Sequence, residues 1–244
     1  MVDPRKTVTQ LCEHKYSSAS VIFWAGSVAT GNYTNHSDLD IVVVFDRVQN
    51  AYREAFSYDG WKVDAFIHDM ETLHYFFEEI DRKSGIPALP QMVLTGVLMT
   101  APSPLSEEIK KLASKTMDAG PPVWSREELD RSRFVITDVL DDILCSQNPA
   151  AQIASTARFY ELLAEFYFRA QNKWSASGKT ILQFLKRQDY DLACLYRDAF
   201  DDLFKHGHTQ QLNELVRKIL EPYGGLLWEG YHADAPREWR ATSM

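Results

Sequence analysis

The sequence contains few cysteines and no long apolar run, and each absence excludes a class of protein. Its three cysteines, Cys12, Cys145 and Cys194, are far apart and odd in number, which argues against a disulfide framework and a cysteine-based zinc site. No stretch approaches 18 uninterrupted apolar residues, so we expect no membrane span. The first ten residues lack the apolar core of a secretory signal. These features predict a cytoplasmic protein.

Basic residues are also scarce. The 244-residue chain has 26 Lys and Arg against 34 Asp and Glu, which gives a formal net charge of −8. Proteins that bind nucleic acid without regard to sequence need a basic surface that neutralises phosphates. We therefore expect no stable nucleic-acid partner, whereas a cationic small molecule is compatible with this charge. The sequence leaves the oligomeric state open.

The hydrophobic patterns divide the chain near two adjacent prolines, Pro121 and Pro122. Before them, short apolar or alternating runs predict the strands of a small mixed sheet, at 21–25, 39–45, 61–67 and 96–100. Residues 51–58 are predicted to be helical. Beyond the prolines the patterns are helical. We therefore expect an α/β (α+β) domain over residues 1–120, and an all-α helical bundle with an irregular C-terminal tail over residues 121–244.

Two aspartates stand at the entrance of the second predicted strand. Asp38 and Asp40 share a face, because side chains at i and i+2 do, and lie about 7 Å apart along the strand. Carboxylates this close repel each other unless a cation lies between them, and Mg2+ is a hard ion that prefers oxygen ligands. Asp64, on the third strand, completes a three-carboxylate site if that strand pairs beside the second. Such a site can hold two ions.

A glycine turn ends the first predicted strand. Gly26 lets a phosphate approach the backbone closely, and Ser27 offers a hydroxyl donor. If a short helix begins at Ser27, its free N–H groups and the positive end of its dipole face the anion. The sequence therefore predicts that phosphates bind at this turn and that metal ions bridge them to the aspartates.

The stretch "GSVATGNYTNHSDLDIVVV" resembles the signature of the nucleotidyltransferase superfamily, which has the DNA polymerase beta-like fold. Within that superfamily the chain is most similar to bacterial aminoglycoside and kanamycin nucleotidyltransferases, in which a helical domain follows a small catalytic one. The resemblance covers roughly residues 20–67. It implies that a nucleoside monophosphate is transferred from ATP or another NTP to an acceptor hydroxyl, with two Mg2+ ions at the site and with release of pyrophosphate.

The resemblance also assigns roles to individual positions. Gly26 and Ser27 match the phosphate-binding pair, and Ser37, directly before the acidic motif, joins them as a candidate nucleotide contact. The metal ligands are matched by Asp38 and Asp40, and the third acid is matched by Asp64.

The helical half contributes three further candidates. Glu161 and Glu165 are one helical turn apart, and one of them, Glu165 first, is a candidate general base, because kanamycin nucleotidyltransferase is thought to use a glutamate of its second domain in this way. The alternative is an exposed, ion-paired stripe with Arg158 and Arg169. Lys179 is a candidate contact with the triphosphate, because related enzymes often place a basic residue of the helical domain there; a solvated lysine near a helix start is the alternative.

The acceptor is expected to be a small hydroxyl compound bound in a cleft between the domains. The acidic runs "DVLDD" (138–142) and "RDAFDD" (197–202) favour a cationic one, because carboxylates raise the local concentration of cations. Two other functions stay open. A protein-modifying, AMP-transferring enzyme of toxin–antitoxin type is disfavoured by the long helical half, and a non-catalytic nucleotide-binding module is disfavoured by the three intact aspartates.

Overall fold

The computed structural model describes residues 3–236 and 239. The chain forms two compact units, Met1–Pro121 and Pro122–Met244. The first contains a small mixed sheet with helices, and the second is helical, so the predicted fold class is confirmed. In the part of the chain that is described, no helix is long and apolar enough to cross a membrane.

The sheet unit is built on five strands in the order β3-β4-β2-β1-β5. Their bounds are β1 Val21–Ala25, β2 Leu39–Val44, β3 Tyr52–Tyr58, β4 Trp61–His68 and β5 Val97–Leu98. The central pair, β2 and β4, is parallel, and every other neighbouring pair is antiparallel. The parallel pair brings the starts of β2 and β4 to the same edge of the sheet.

The segment 51–58 corrects the sequence prediction, because most of it is strand β3 and not a helix. It pairs antiparallel with β4 along its whole length, from Tyr52 opposite Ile67 to Tyr58 opposite Trp61. The two strands are joined by Asp59 and Gly60, whose φ angles are 48° and 81°. Positive φ at both central residues matches the twist of a two-residue hairpin. Pairing with β4 therefore overrides the helical propensity of the segment.

Helices cover both faces of the sheet. Those of the first unit are α1 Pro4–Lys15, α2 Gly26–Ala29, α3 Met70–Tyr75, α4 Arg82–Ser84, α5 Ala88–Thr95 and α6 Pro104–Ala119, with a π-helical segment Phe76–Asp81 between α3 and α4. One face buries Ile41 in a cluster with Leu11 of α1. The opposite face buries Val42 with Val93 of α5. Burial on both faces explains why β2 is almost continuously apolar.

The second unit is a bundle around one apolar core. Its helices are α7 Arg126–Cys145, α8 Pro149–Arg169, α9 Ile181–Gln188, α10 Tyr190–His206 and α11 Gln210–Leu220, with short 3-10 turns at Gly178–Thr180 and Glu221–Tyr223. The segment after the last turn is irregular up to residue 236. The buried Arg133 fixes its start by donating to the carbonyls of Gly224 and Gly225 at 2.7 and 2.9 Å. The remainder of the predicted tail, 237–238 and 240–244, lies outside the described residues.

Candidate functional site

Strand pairing brings the three aspartates together. Asp40 of β2 lies directly opposite Asp64 of β4 in the parallel ladder, and Asp38 stands just before β2. One carboxylate oxygen from each residue lies within 4.8 Å of the others. Asp64 is buried, and the other two are half-buried. The condition for a three-carboxylate site, that the strand with Asp64 pairs beside the strand with Asp40, is therefore met.

This arrangement fits a divalent cation. At about 4.8 Å and an effective dielectric constant of about 20, two carboxylate charges repel by roughly 3 kcal/mol. Three of them in one place therefore need positive charge nearby. Carboxylate oxygens are the ligands that Mg2+ prefers, so the donor set matches the predicted metal.

Gly26 is required at the edge of this acidic cluster for two reasons. Its φ of +75° lies in the region that disfavours side chains, and a Cβ there would stand 1.9 Å from Oδ2 of Asp40. The Asp40 carboxylate therefore occupies the space that any other residue would fill. Gly26 and Ser27 also begin α2, so the predicted helix at the turn is present, one residue earlier than expected.

Ser37 has a structural role in the loop before Asp38. Its hydroxyl accepts a hydrogen bond from the Thr34 backbone N–H at 3.0 Å, and its own N–H donates to the Thr34 carbonyl at 3.1 Å. These bonds close the turn that delivers Asp38 to the start of β2. A contact between Ser37 and nucleotide stays a prediction.

Arg53 is a site residue that the sequence reasoning missed. Its Nε and Nη2 donate to Oδ1 and Oδ2 of Asp64 at 2.7 and 2.5 Å, a bidentate ion pair. These hydrogen bonds are the largest cause of a raised pKa for the Arg53 guanidinium, and the charges of Asp64, Asp40 and Asp38 add to it. Arg53 therefore supplies one of the positive charges that the aspartates require.

A surface cavity of about 540 Å3 adjoins the aspartates on the β3 side. Asp38 and Asp64 contribute to its wall together with Arg53, Ser57 and Lys62. The last three belong to the β3–β4 hairpin, and their side chains are exposed. The acidic centre thus opens into a pocket whose other charged groups are cations.

The candidates of the helical unit lie on α8 and in the loop after it. Glu161 accepts a hydrogen bond from the backbone N–H of Gly178 at 2.9 Å, so it fixes that loop. Glu165 reaches solvent, yet desolvation by its surroundings raises the pKa of its carboxyl; Arg169 opposes this shift and Glu161 adds to it. Lys179 is exposed in the 3-10 turn. The roles of Glu165 and Lys179 stay predictions.

Arg169 does not belong to an exposed stripe, so that alternative is wrong for this residue. Only 4% of its surface is accessible. Its guanidinium lies over the Trp124 ring at 5.3 Å, and Nη2 donates to the Pro122 carbonyl at 2.8 Å. Burial lowers the pKa of Arg169, and the nearby Glu165 opposes this effect. The environment of Glu165 is therefore more desolvated than a surface helix face.

The acidic run at 197–202 is engaged locally. Asp201 forms an ion pair with Lys205 at 2.8 Å on the same helix. Asp202 is 3.1 Å from a ring nitrogen of His208 and accepts a hydrogen bond from Gln211 at 3.3 Å. These contacts take up part of the negative charge on which the cationic-acceptor expectation rests.

The match to a known family lies in the region that contains the aspartates. Residues 5–89 match the family model described as "Nucleotidyltransferase domain". This match supports the superfamily resemblance and a transferase that acts on nucleotides. No protein with curated annotation is significantly similar to the chain. A solved structure, a nucleotidyltransferase-like protein from Exiguobacterium sibiricum 255-15, is 13% identical with a TM-score of 0.46, over 88% of this chain and 73% of that one.

Proposed function

We propose that this protein transfers a nucleoside monophosphate from a nucleoside triphosphate, ATP first, to a hydroxyl of a small molecule and releases pyrophosphate. The observation that carries the proposal is the convergence of Asp38, Asp40 and Asp64 inside the segment that matches the nucleotidyltransferase domain. Convergence supports catalysis more strongly than the motif alone, because Asp64 lies on β4, and only the fold brings β4 beside Asp40 on β2 and Asp38 just before it.

The triphosphate is proposed to bind at the Gly26–Ser27 turn. The first N–H groups of a helix have no intrahelical acceptor, so they attract anions. Gly26 has no side chain to hold a phosphate away from the backbone, and the Ser27 hydroxyl adds a donor. Ser37, beside the acidic motif, and Lys179, an exposed cation of the helical unit, are the further proposed contacts with nucleotide.

Asp38, Asp40 and Asp64 are proposed to hold Mg2+. Three carboxylates have enough oxygen atoms to coordinate two such ions. A divalent ion held by these carboxylates supplies positive charge at the phosphate groups that react. The carboxylates themselves fix where that charge is placed. Gly26 keeps the Asp40 carboxylate in position, because a larger residue would collide with it.

In the reaction one phosphorus–oxygen bond forms and another breaks. The acceptor oxygen attacks the α-phosphorus, the bond to the β-phosphate oxygen breaks, and the electron pair leaves with pyrophosphate. The hydroxyl proton passes to a carboxylate, for which Asp64 and Glu165 are the candidates. Asp64 would have to weaken its pair with Arg53 to accept it. Desolvation raises the pKa of Glu165, which brings it closer to the pKa of an effective base at neutral pH.

The test is a screen of hydroxyl compounds with each of the four common NTPs and Mg2+, in which pyrophosphate release and transfer of an α-phosphate label are measured together. The proposal predicts that both appear with at least one small molecule and that both stop when Mg2+ is chelated. Label that appears only on a protein would favour the protein-modifying alternative. Tight nucleotide binding without pyrophosphate release under any condition would contradict catalysis.

A further inference from the structure

We propose that the pocket beside Asp64 binds the acceptor, and that Arg53 and Lys62 select an acceptor that carries an anionic group, a carboxylate or a phosphate. The inference rests on the proposed function, because it takes the turn at Gly26 and Ser27 as the triphosphate side of the site. It differs from the cationic acceptor that the acidic composition favours, and one experiment decides between the two.

The sheet order separates the two sides of the acidic centre. β1, which runs into the turn at Gly26, lies on one side of β2, and β4 with β3 lies on the other. The wall of the pocket includes Asp38 and Asp64 but neither Gly26 nor Ser27. A triphosphate on the turn and an acceptor in the pocket therefore approach the aspartates from opposite sides. Opposite approach is what an in-line displacement at phosphorus requires.

The hairpin register sets the chemistry of the pocket wall. Ser57 lies directly opposite Lys62, and Ala55 lies directly opposite Asp64, so all four side chains share one face. The small Ala55 leaves space next to the Asp64 carboxylate. Ser57 and Lys62 are exposed at the outer end of the same face. A hydroxyl held near Asp64 thus places a neighbouring group of the acceptor against Lys62 and the Ser57 hydroxyl.

Arg53 extends the positive charge across the pocket. Two thirds of its side chain is exposed, at 66%, so the guanidinium faces both Asp64 and solvent. A guanidinium has five N–H donors, and the bidentate pair with Asp64 uses two of them. The planar fork suits carboxylates and phosphates. Apart from the carboxylates of Asp38 and Asp64, the charged groups of the pocket wall are Arg53 and Lys62. At this part of the wall an anionic acceptor gains contacts, whereas a cationic acceptor meets two like charges.

The test compares glucose with two charged derivatives of it, the anionic glucuronate and the cationic glucosamine. For each, pyrophosphate release from Mg-ATP and direct binding by ligand-observed NMR are measured with the full chain. Charge-assisted contacts imply a preference of about tenfold or more in kcat/KM for glucuronate over glucosamine. Lys62→Glu is expected to lower the glucuronate value and to raise the glucosamine value. Lys115→Glu, on the exposed face of α6, is the matched control and keeps the wild-type preference.

Several results would overturn the inference. One is a preference of the wild type for glucose or glucosamine over glucuronate. Another is a preference for glucuronate that Lys62→Glu leaves unchanged. An effect of Lys62→Glu confined to KM for Mg-ATP does so as well, because the lysine then serves the triphosphate. If none of the three sugars supports pyrophosphate release, the wider acceptor screen decides the proposed function, and binding alone decides this inference: glucuronate binding that Lys62→Glu abolishes supports it, and absence of such binding overturns it.

Discussion

The two units of the chain use their acidic side chains differently. In the sheet unit, two strands bring three aspartates together, and one carboxylate oxygen of each lies within 4.8 Å of the others. In the helical unit, Asp201 is paired with a lysine one turn away, and Glu161 holds a loop. The number of carboxylates is therefore a poor guide to a site. Convergence that only the fold can produce marks the acidic centre, and local pairing marks the structural acids.

Asp40→Asn is expected to give the largest loss of turnover, and it tests whether the converging aspartates differ in role from the locally paired acids. The substitution keeps the shape of the side chain but removes a charge that the metal site needs. Because the metal contributes several kcal/mol of transition-state stabilisation, we expect Asp40→Asn to lower kcat by about 10³-fold. Asp201→Asn is the control and should leave kcat unchanged. Turnover is measured with the best acceptor, alongside a melting curve; a similar loss in both variants would remove the distinction.

Gly26→Ala tests whether the backbone at the turn is fitted to Asp40. The added Cβ would collide with Oδ2 of Asp40, so we expect a 10- to 100-fold loss of turnover. Strained backbone should also lower the free energy of unfolding by about 1–3 kcal/mol.

Gly31→Ala is the matched control for this substitution. Gly31 has a φ of +79° and no heavy atom within 4 Å of the added Cβ. It therefore carries the same conformational cost without the collision. Equal loss of turnover in the two variants would show that backbone strain, and not displacement of Asp40, explains the effect.

Arg133→Met tests a charged residue of the helical unit that is expected to affect stability and not the metal site. Arg133 is buried and donates to the carbonyls of Gly224 and Gly225, so its loss leaves two acceptors unpaired. We expect the free energy of unfolding to fall by about 2–4 kcal/mol in a urea titration, with Mn2+ affinity unchanged. Arg126→Met is the control, because Arg126 pairs with the same Asp130 from an exposed position. Equal destabilisation by both substitutions would contradict a specific role for Arg133 in fixing the start of the tail.

A smaller effect, absent at neutral pH, is expected from His68 at the end of β4. Burial lowers the pKa of His68 to about 4, with partial opposition from Asp69. Between about pH 6.5 and 4 the unfolded state binds a proton that the folded state does not. Stability should therefore fall as the pH falls through this range, by about 3 kcal/mol at most. Asp81, whose pKa burial raises to about 6, acts in the opposite sense.

The measurement that isolates His68 is therefore a difference. Urea unfolding of wild type and His68→Phe is compared from pH 7 to pH 4, so that Asp81 contributes equally to both. The variant should gain stability relative to wild type as the pH falls. A constant difference between wild type and His68→Phe across this range would contradict a neutral buried imidazole.

Much of the sheet unit could be predicted from sequence, because its central strands are buried on both faces. Apolar runs bounded by a glycine or by aspartates gave β1 and β2 nearly to the residue. An alternating run bounded by Asp59 and Gly60 placed Asp64 on a strand, whereas the pairing of that strand with β2 was only a condition, which the structure meets. These strands are specified by their own composition, so local reasoning suffices.

The edge strand could not be predicted in the same way. β3 is exposed along much of its length, so its sequence lacks a buried face, and it was predicted to be a helix. Arg53 was missed as a consequence. The signal was the pair Asp59-Gly60, because a two-residue hairpin turn fixes the register of β3 against β4. That register places Arg53 on the same face as Asp64, two residues from Ala55, the partner of Asp64. The local contacts of Glu161 and Arg169 depend on tertiary packing, which no short pattern shows.

The most direct test of the central claim is binding of Mn2+ in the presence of ATP, followed by electron paramagnetic resonance, because it needs no knowledge of the acceptor. Wild type and Asp201→Asn should bind Mn2+ with the same affinity. Asp40→Asn should bind it at least about tenfold more weakly, because one of the three converging carboxylates is lost. Equal affinity in wild type and Asp40→Asn would contradict the assignment of Asp38, Asp40 and Asp64 as the metal centre.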